Sequence, residues 1–286
     1  MNWFYLSLVC ALSLAISDAY AKKYFADFRG VYILLVRLGL PGLLLLPFSI
    51  YFGVFELPGQ FWYYMAILGP LELLAMWLYV IAIRDDPLHL TLPYLAFTPV
   101  FNIVTGYVAL GELVSLTGAL GIMLVVAGSY LLNLDHFSRS GRDYLAPFKA
   151  IVKIKGSRRM LLAAGIYSLT SVYSKQAMQY SSPEVFGVHY FAIIGVVLLV
   201  WILVRQPVAI RDVARRPRAS FIVTGFMVLM VVTHFMAIAQ VEVAYMIAVK
   251  RSSLIFGMLL GAWMFKDVVL RQHLPAGILM LGGVFL

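Results

Sequence analysis

Charge is what this sequence has least of. Only 12% of its 286 residues are Asp, Glu, Lys or Arg, against 63% hydrophobic, where a water-soluble domain carries about 25% charged residues. A large core does not explain the deficit. The apolar residues run in blocks of about 20 rather than in stripes along amphipathic helices, and the mean hydropathy is +0.92. Cysteine is nearly absent too: Cys10 stands alone, which excludes an intramolecular disulfide and a thiolate metal cage. There is no paired-His metal motif, Gly-x-Ser-x-Gly elbow or glycine-rich phosphate loop, so neither an enzyme nor a cofactor is expected. Nothing resembles a repeated channel filter. No basic residue precedes the first apolar block, Asn2 to Tyr20, and no small-x-small cleavage site separates it from the lysines that follow. That block is read as a membrane span and not as a removed signal.

What is present is apolar sequence, repeated. Ten blocks, roughly 2–20, 31–50, 61–83, 91–110, 113–132, 160–180, 185–204, 219–239, 243–263 and 267–286, set the expected fold: an all-α polytopic membrane protein with ten transmembrane helices. The first nine are long enough to cross a hydrocarbon core of about 30 Å at 1.5 Å per residue. The tenth has an uninterrupted apolar part only from Leu274 to Leu286, and the chain stops inside it. Shifted by 155 positions, one half of the chain lands on the other. Glu112 meets Asp267, Gly106 meets Gly261, Phe101 meets Phe256, Gly128 meets Gly283, and Ala82-Ile83 meets Ala237-Ile238. Such internal duplication marks secondary transporters. Five spans per copy is an odd number, so the two five-helix repeats, 1–132 and 160–286, are expected to be inverted. Gly257-x-x-x-Gly261 is read as packing inside the bundle, and the expected assembly is a monomer or homodimer.

The formal charge of +9 gathers in a few loops, as topogenic charge does, and no nucleic-acid partner is inferred from it. Loops after spans 1, 3, 5, 7 and 9 hold nearly all the lysine and arginine, and those after spans 2, 4, 6 and 8 hold none. The positive-inside rule then places both termini on the non-cytoplasmic face of a plasma membrane, here read as a bacterial inner membrane. The long connection 133–159 becomes a basic cytoplasmic linker. Within it Phe148, Ile151, Val152 and Ile154 alternate with Lys149, Lys153 and Lys155, a pattern for a short helix on anionic lipid, or for a solvated linker.

At spans 4 and 5 the stretch "TPVFNIVTGYVALGELVSLTGALGIMLVVAG" resembles the signature of the drug/metabolite transporter superfamily, EamA-like branch. Its marks are the proline Pro99, the acidic Glu112 at the start of span 5, and Gly121 and Gly128 seven apart. The second copy departs from it, with Leu254, Asp267 and Ala276 in place of the proline, the glutamate and the first glycine. The resemblance spans essentially the whole chain. It implies ten helices and alternating access around a central cavity. It also implies small organic solutes moved by exchange or with a coupling proton. Many members of the superfamily keep both termini in the cytoplasm, so either this chain inserts the other way or the span count is off by one. A narrower likeness, in "SVYSKQAM" and "VKRSSLIF", is to the plastid phosphate-translocator branch. It implies phosphate-holding roles for Lys175, Lys250 and Arg251.

An ionisable residue inside a span costs roughly 2.5–3.5 kcal/mol on insertion scales, so each one needs a reason. The inventory is Arg37, Glu72, Lys175, His189, His234, Lys250 and Arg251, with the polar Asn102 in span 4. By counting from the span ends, Lys175, His189, His234 and Lys250 fall in one layer near the outer face. Lys250 and Arg251 meet Leu95 and Ala96 in the first copy, and His234 meets Tyr79, so the second half carries cations that the repeated fold does not require. Lys175 could instead snorkel to the interface, and the two histidines could be packing residues. A midplane Glu72 pairs with a cation or carries a coupling proton, and Arg37 is a second partner for it. Glu112 and Asp267 are read as helix caps.

These residues point to a secondary transporter of a small organic anion, phosphorylated or carboxylated, with Lys175, Lys250, Arg251 and Glu72 converging on one cavity. The alternatives are a proton-coupled exporter of amino acids or drugs working through Glu72, and a non-transporting membrane scaffold or assembly factor. The partners expected are the solute, the lipid bilayer, and a coupling proton or counter-substrate.

Overall fold

The computed structural model describes residues 2–25, 30–53, 56–86, 91–134, 154–265 and 270–286, and every regular element among them is helical. In chain order these are α1 (Trp3–Phe25), α2 (Gly30–Tyr51), α3 (Gly59–Asp85), α4 (Thr98–Leu110), α5 (Leu116–Leu134), α6 (Lys155–Ala177), α7 (Pro183–Arg205), α8 (Pro207–Ala214), α9 (Pro217–Ile238), α10 (Val243–Lys250), α11 (Ser253–Phe265) and α12 (Leu270–Val284). Six stretches are long and apolar enough to cross a membrane: α1, α2, Gly59–Tyr79 of α3, α7, α9 and Val243–Met264. Tyr94–Leu110, Leu116–Leu131 and Pro275–Val284 are shorter apolar helices.

The outside of the bundle is as apolar as its inside. Leu43, Phe48, Trp77, Val108, Leu116, Trp201, Phe221 and Trp263 are all exposed. An apolar surface this continuous has no stable contact with water, so its solvent is lipid. The chain is an integral, multi-pass membrane protein.

Small residues decide how the helices meet. In α1 most buried residues are small, Ser7, Cys10, Ala11, Ser13, Ala15, Ser17, Ala19 and Ala21, and this helix lies along α9 with Ser17 donating to the Val223 carbonyl at 3.3 Å. In α6 the small buried residues are Gly156, Ser157, Ala163, Ala164, Ser168, Ser171, Ser174 and Ala177, beside Met160, Thr170 and Val172, and this helix lies along α3. Without a hydrophobic drive between helices in lipid, close backbone approach supplies the attraction, and small side chains permit it. At the α2–α7 crossing a Cβ on Gly42 would sit 2.5 Å from the Gly195 backbone. At the α5–α12 crossing a Cβ on Gly121 would meet the Gly283 carbonyl at 2.6 Å, and one on Gly128 would meet that of Ala276 at 2.7 Å. The glycines seven apart in the sequence are thus the contact surface of one antiparallel crossing.

Two helices differ from their sequence expectation. The stretch 160–180 forms a helix, but α6 starts at Lys155, within the linker drawn as 133–159, and it is not among the apolar helices. Its serines, threonines and tyrosines lower its hydropathy because neighbouring helices cover it. The expected span 243–263 is present as Val243–Met264, but its helix is interrupted: at residues 250–252 the backbone tightens, with Ser252 N–H bonded to Val249 O and Leu254 N–H to Arg251 O, both at 3.0 Å. Before α4 the chain makes the same move, a 3-10 stretch Leu92–Phe97. The shift of 155 positions lands Thr98–Leu110 on Ser253–Phe265 end for end. The short α8 was not expected. It buries Ala209 and Val213 and takes a hydrogen bond from the Tyr32 hydroxyl to Asp212 at 2.9 Å. The proposed lipid-bound helix in 143–155 and Asp267 lie outside the described residues, apart from Ile154 and Lys155.

Candidate functional site

The break between α10 and α11 brings the interior polar groups together. Its 3-10 turn ends α10 at Lys250 and leaves Arg251 just outside regular helix. Arg251 Nη2 donates to Thr98 Oγ1 at 2.9 Å, so the break in one half is joined to the first residue of α4 in the other. Thr98 in turn donates to the Leu95 carbonyl at 2.7 Å. One turn further along the same buried face of α4 stands Asn102, 1% exposed, with neither Oδ1 nor Nδ2 hydrogen-bonded; Arg251 Nε is likewise buried without a partner. An unmade hydrogen bond of this kind costs about 1–3 kcal/mol.

Lys250 Nζ lies 3.5 Å from His234 Nδ1, which serves it as an acceptor. Cys10, Glu72 and Arg37 stand within its electrostatic reach. Glu72 Oε2 accepts the Tyr190 hydroxyl at 3.0 Å and lies beside Thr170 and Tyr167. Arg37 sits in a π turn, Leu35–Gly39, where the wider helix lets it reach Asp18 at 2.8 Å; Tyr79 is beside it. Among the described residues this polar cluster holds three cations, Arg37, Lys250 and Arg251, against two carboxylates, Glu72 and the half-exposed Asp18.

Two expected members lie elsewhere. Lys175 Nζ donates to Glu112 Oε1 at 2.6 Å and to the Val241 carbonyl at 2.5 Å. Val241 precedes α10, so this contact lies about 10–13 Å from Lys250 along the helix at 1.5 Å per residue. A lysine near a helix end finds a carboxylate at the rim rather than the site at the break. His189 is fully buried, edge-on to Phe61, with Nδ1 against the Val185 carbonyl at 2.7 Å and Nε2 without a partner. Its surroundings are those of a packing residue. Glu112 does cap a helix, but not the one that follows it: Oε2 accepts the Val243 N–H of α10 at 2.8 Å.

Sequence reasoning missed Asp18, Tyr167, Tyr190 and Thr98. Asp18 carries a legible signal, a carboxylate inside the apolar block Trp3–Phe25 with Lys22 and Lys23 a turn below. The tyrosines and the threonine carry none, because each reads as ordinary span composition until the fold aims it inward. Among the described residues no group of three His, Cys, Asp or Glu side chains could hold a metal.

The fold defines a multi-pass helical membrane protein with a polar cluster inside its bundle. Residues 1–134 and 155–286 match the EamA-like transporter family, and the chain belongs to that family. It is thus a membrane transporter of the drug/metabolite type. One solved crystal structure, 14% identical, is similar over 99% of this chain and 93% of its own, with a TM-score of 0.70, and shares the fold. No curated protein matches the chain.

Proposed function

We propose that the protein is a secondary transporter that moves a small organic anion, phosphorylated or carboxylated, by alternating access between two inverted five-helix repeats. The carrying observation is the excess of cations in the interior. With both carboxylates ionised, Arg37, Lys250 and Arg251 still leave one positive charge unmatched, and Asn102 and Arg251 Nε have hydrogen bonds to give. Partly buried like charges repel unless an anion joins them. Arg251 adds the geometry of a planar donor, which favours carboxylate and phosphate oxygens. His234 and Tyr79 line the same cluster, with Lys250 beside His234 and Arg251 held by Thr98.

The inverted architecture is supported by packing that reads the same when the halves are exchanged. The α1–α9 contact becomes α6–α3, the α1–α11 contact becomes α6–α4, and the α2–α7 and α5–α12 contacts map onto themselves. Gly121 against Gly283 and Gly128 against Ala276 exchange in the same way. A two-fold axis produces that reciprocity, and because the corresponding helices α5 and α12 cross antiparallel, the axis runs across them, as in an inverted repeat. We read ten spans, with units 1–132 and 160–286 around the linker 133–159, in a bacterial inner membrane. Orientation follows charge: Glu56, Glu112, Glu184 and Glu242 sit where α2, α4, α6 and α9 finish, whereas Lys22, Lys23, Arg205, Arg211, Arg215, Arg216 and Arg218 sit at the opposite ends. The basic end is the cytoplasmic one.

The test is uptake into proteoliposomes across a panel of phosphorylated, carboxylated, zwitterionic and cationic solutes. Anions should be carried, and Arg251→Gln should abolish their uptake while the protein stays folded. Normal uptake by that variant would sink the reading. A second reading rests on Glu72, a carboxylate held by Tyr190 deep in α3. In it Glu72 carries a coupling proton for the export of an amino acid or drug, and Glu72→Gln would then uncouple transport from a pH gradient.

A further inference from the structure

The ion pair at the acidic end has no part in the site just described. The Lys175–Glu112 pair joins the two halves. Glu112 comes from the first half and its partners, Lys175, Val241 and Val243, from the second. A backbone device delivers the carboxylate. Gly111 ends α4 in the left-handed region at φ 69°, its N–H returning to Tyr107 O at 3.0 Å and that of Glu112 to Gly106 O at 3.2 Å. A Cβ on Gly106 would stand 3.0 Å from Glu112 Oε2, so glycine leaves the room that the carboxylate uses.

Glu112 and Lys175 floor an open recess of about 450 Å³ walled by Leu110, Leu113, Ala239, Gln240 and Val241, with a second carboxylate, Glu242, on its wall. The pair is partly shielded, with side chains 11% and 20% exposed, and is still open to a molecule arriving in the recess. An ammonium and a backbone N–H converging on two oxygens of one carboxylate is the donor set that proteins offer to an anionic ligand. Here the chain supplies that anion itself.

We propose that Lys175 and the Val243 N–H form an anion-binding subsite at the mouth of the transporter, which Glu112 fills as a built-in plug. A solute carboxylate or phosphate takes the subsite by displacing Glu112. The exchange releases the tie between the halves at this end, so arrival of the solute and opening of the mouth are one event. The kind of solute rests on the anionic reading of the interior; the subsite itself does not.

Removing the plug tests it. In the purified full-length Glu112→Ala variant, sodium acetate and sodium phosphate, each against sodium chloride at equal ionic strength, should raise the thermal unfolding midpoint by about 2–4 °C. The same anions should shift the wild type less, and Lys175→Gln added to Glu112→Ala should remove the response. If Glu112→Ala does not fold, Glu112→Gln serves. It keeps an acceptor for Val243 and removes the negative charge facing Lys175, and it should bind inorganic phosphate roughly 10-fold tighter than the wild type in a titration. A response no larger than that of the wild type, or one that survives loss of Lys175, overturns the subsite and leaves Glu112 a helix cap. All of these variants keep Lys250 and Arg251. Anion rescue together with uptake of only cationic or neutral solutes would therefore keep the mouth subsite and overturn the anionic interior. Anion uptake without rescue would do the reverse.

Discussion

The two helix breaks are the same backbone event with different residues in it. Leu92–Phe97 and the turn at 250–252 occupy corresponding positions of the repeat, and each is followed by a helix of 13 residues, α4 and α11. The first break carries Leu95, which packs against an apolar cluster with Tyr94 and Met160, and the buried Ala96. The second carries Lys250 and Arg251, which meet His234 and Thr98. The break is therefore a property of the fold, and the charge is not. A chain that can build the turn from leucine and alanine has no structural need of two cations there, which is the physical argument for a ligand.

The strongest way to break this comparison is to erase the difference. The double variant Lys250→Leu with Arg251→Ala gives the second break the residues of the first. It should remain monodisperse in detergent with unchanged helicity and lose about 100-fold or more in anion uptake, as two charged hydrogen bonds of about 1.5–3 kcal/mol each would give. A loss of folded protein instead would show that the cations hold the break.

Next in size is the part that the halves share. Gly128→Leu drives a side chain into the Ala276 carbonyl and Met280 across the α5–α12 crossing. It should destabilise by about 1–3 kcal/mol, as overpacking does, and lower the thermal midpoint. Gly225 is the control: a Cβ there would meet nothing within 4 Å, and Gly225→Ala should be close to neutral.

Thr98→Val sharpens the link between the breaks. It removes the oxygen that receives Arg251 while keeping the shape of the side chain. Uptake should fall by roughly 10-fold, for about 1.5 kcal/mol in a hydrogen bond from a charged donor, with little change in stability. The smallest effect is expected from Tyr190→Phe, which takes one neutral donor from Glu72. About 1 kcal/mol, or a few-fold in uptake, is the order of that loss. An effect of Tyr190→Phe larger than that of Thr98→Val would favour the second reading, in which Glu72 does the coupling.

The site was legible where charge is expensive. Arg37, Glu72, Lys250 and Arg251 stand out in apolar sequence because each costs free energy to insert, and all four reach the interior cluster. Lys175 and His189 stand out for the same reason and go elsewhere. Depth was counted from span ends, and a few residues of error there are a helical turn in space. Direction around the helix axis cannot be counted at all. Whether Lys175 looks toward the break or toward Glu112 depends on where Gly111 turns the chain, an event in the other half of the molecule.

The sequence by itself determined the solvent of this protein and its plan. Composition required lipid, since a chain with so little charge cannot cover itself for water. Duplication at a shift of 155 positions required that whatever one half forms, the other forms too. Tertiary structure alone decided the pairings: Arg37 with Asp18, Lys175 with Glu112, Arg251 with Thr98. The physical reason is that cost and partnership are different quantities. Desolvation of a charge depends on its own neighbourhood in the chain, which a sequence displays. The partner that offsets that cost comes from a helix far away in the chain, and only packing brings the two within 3 Å of each other.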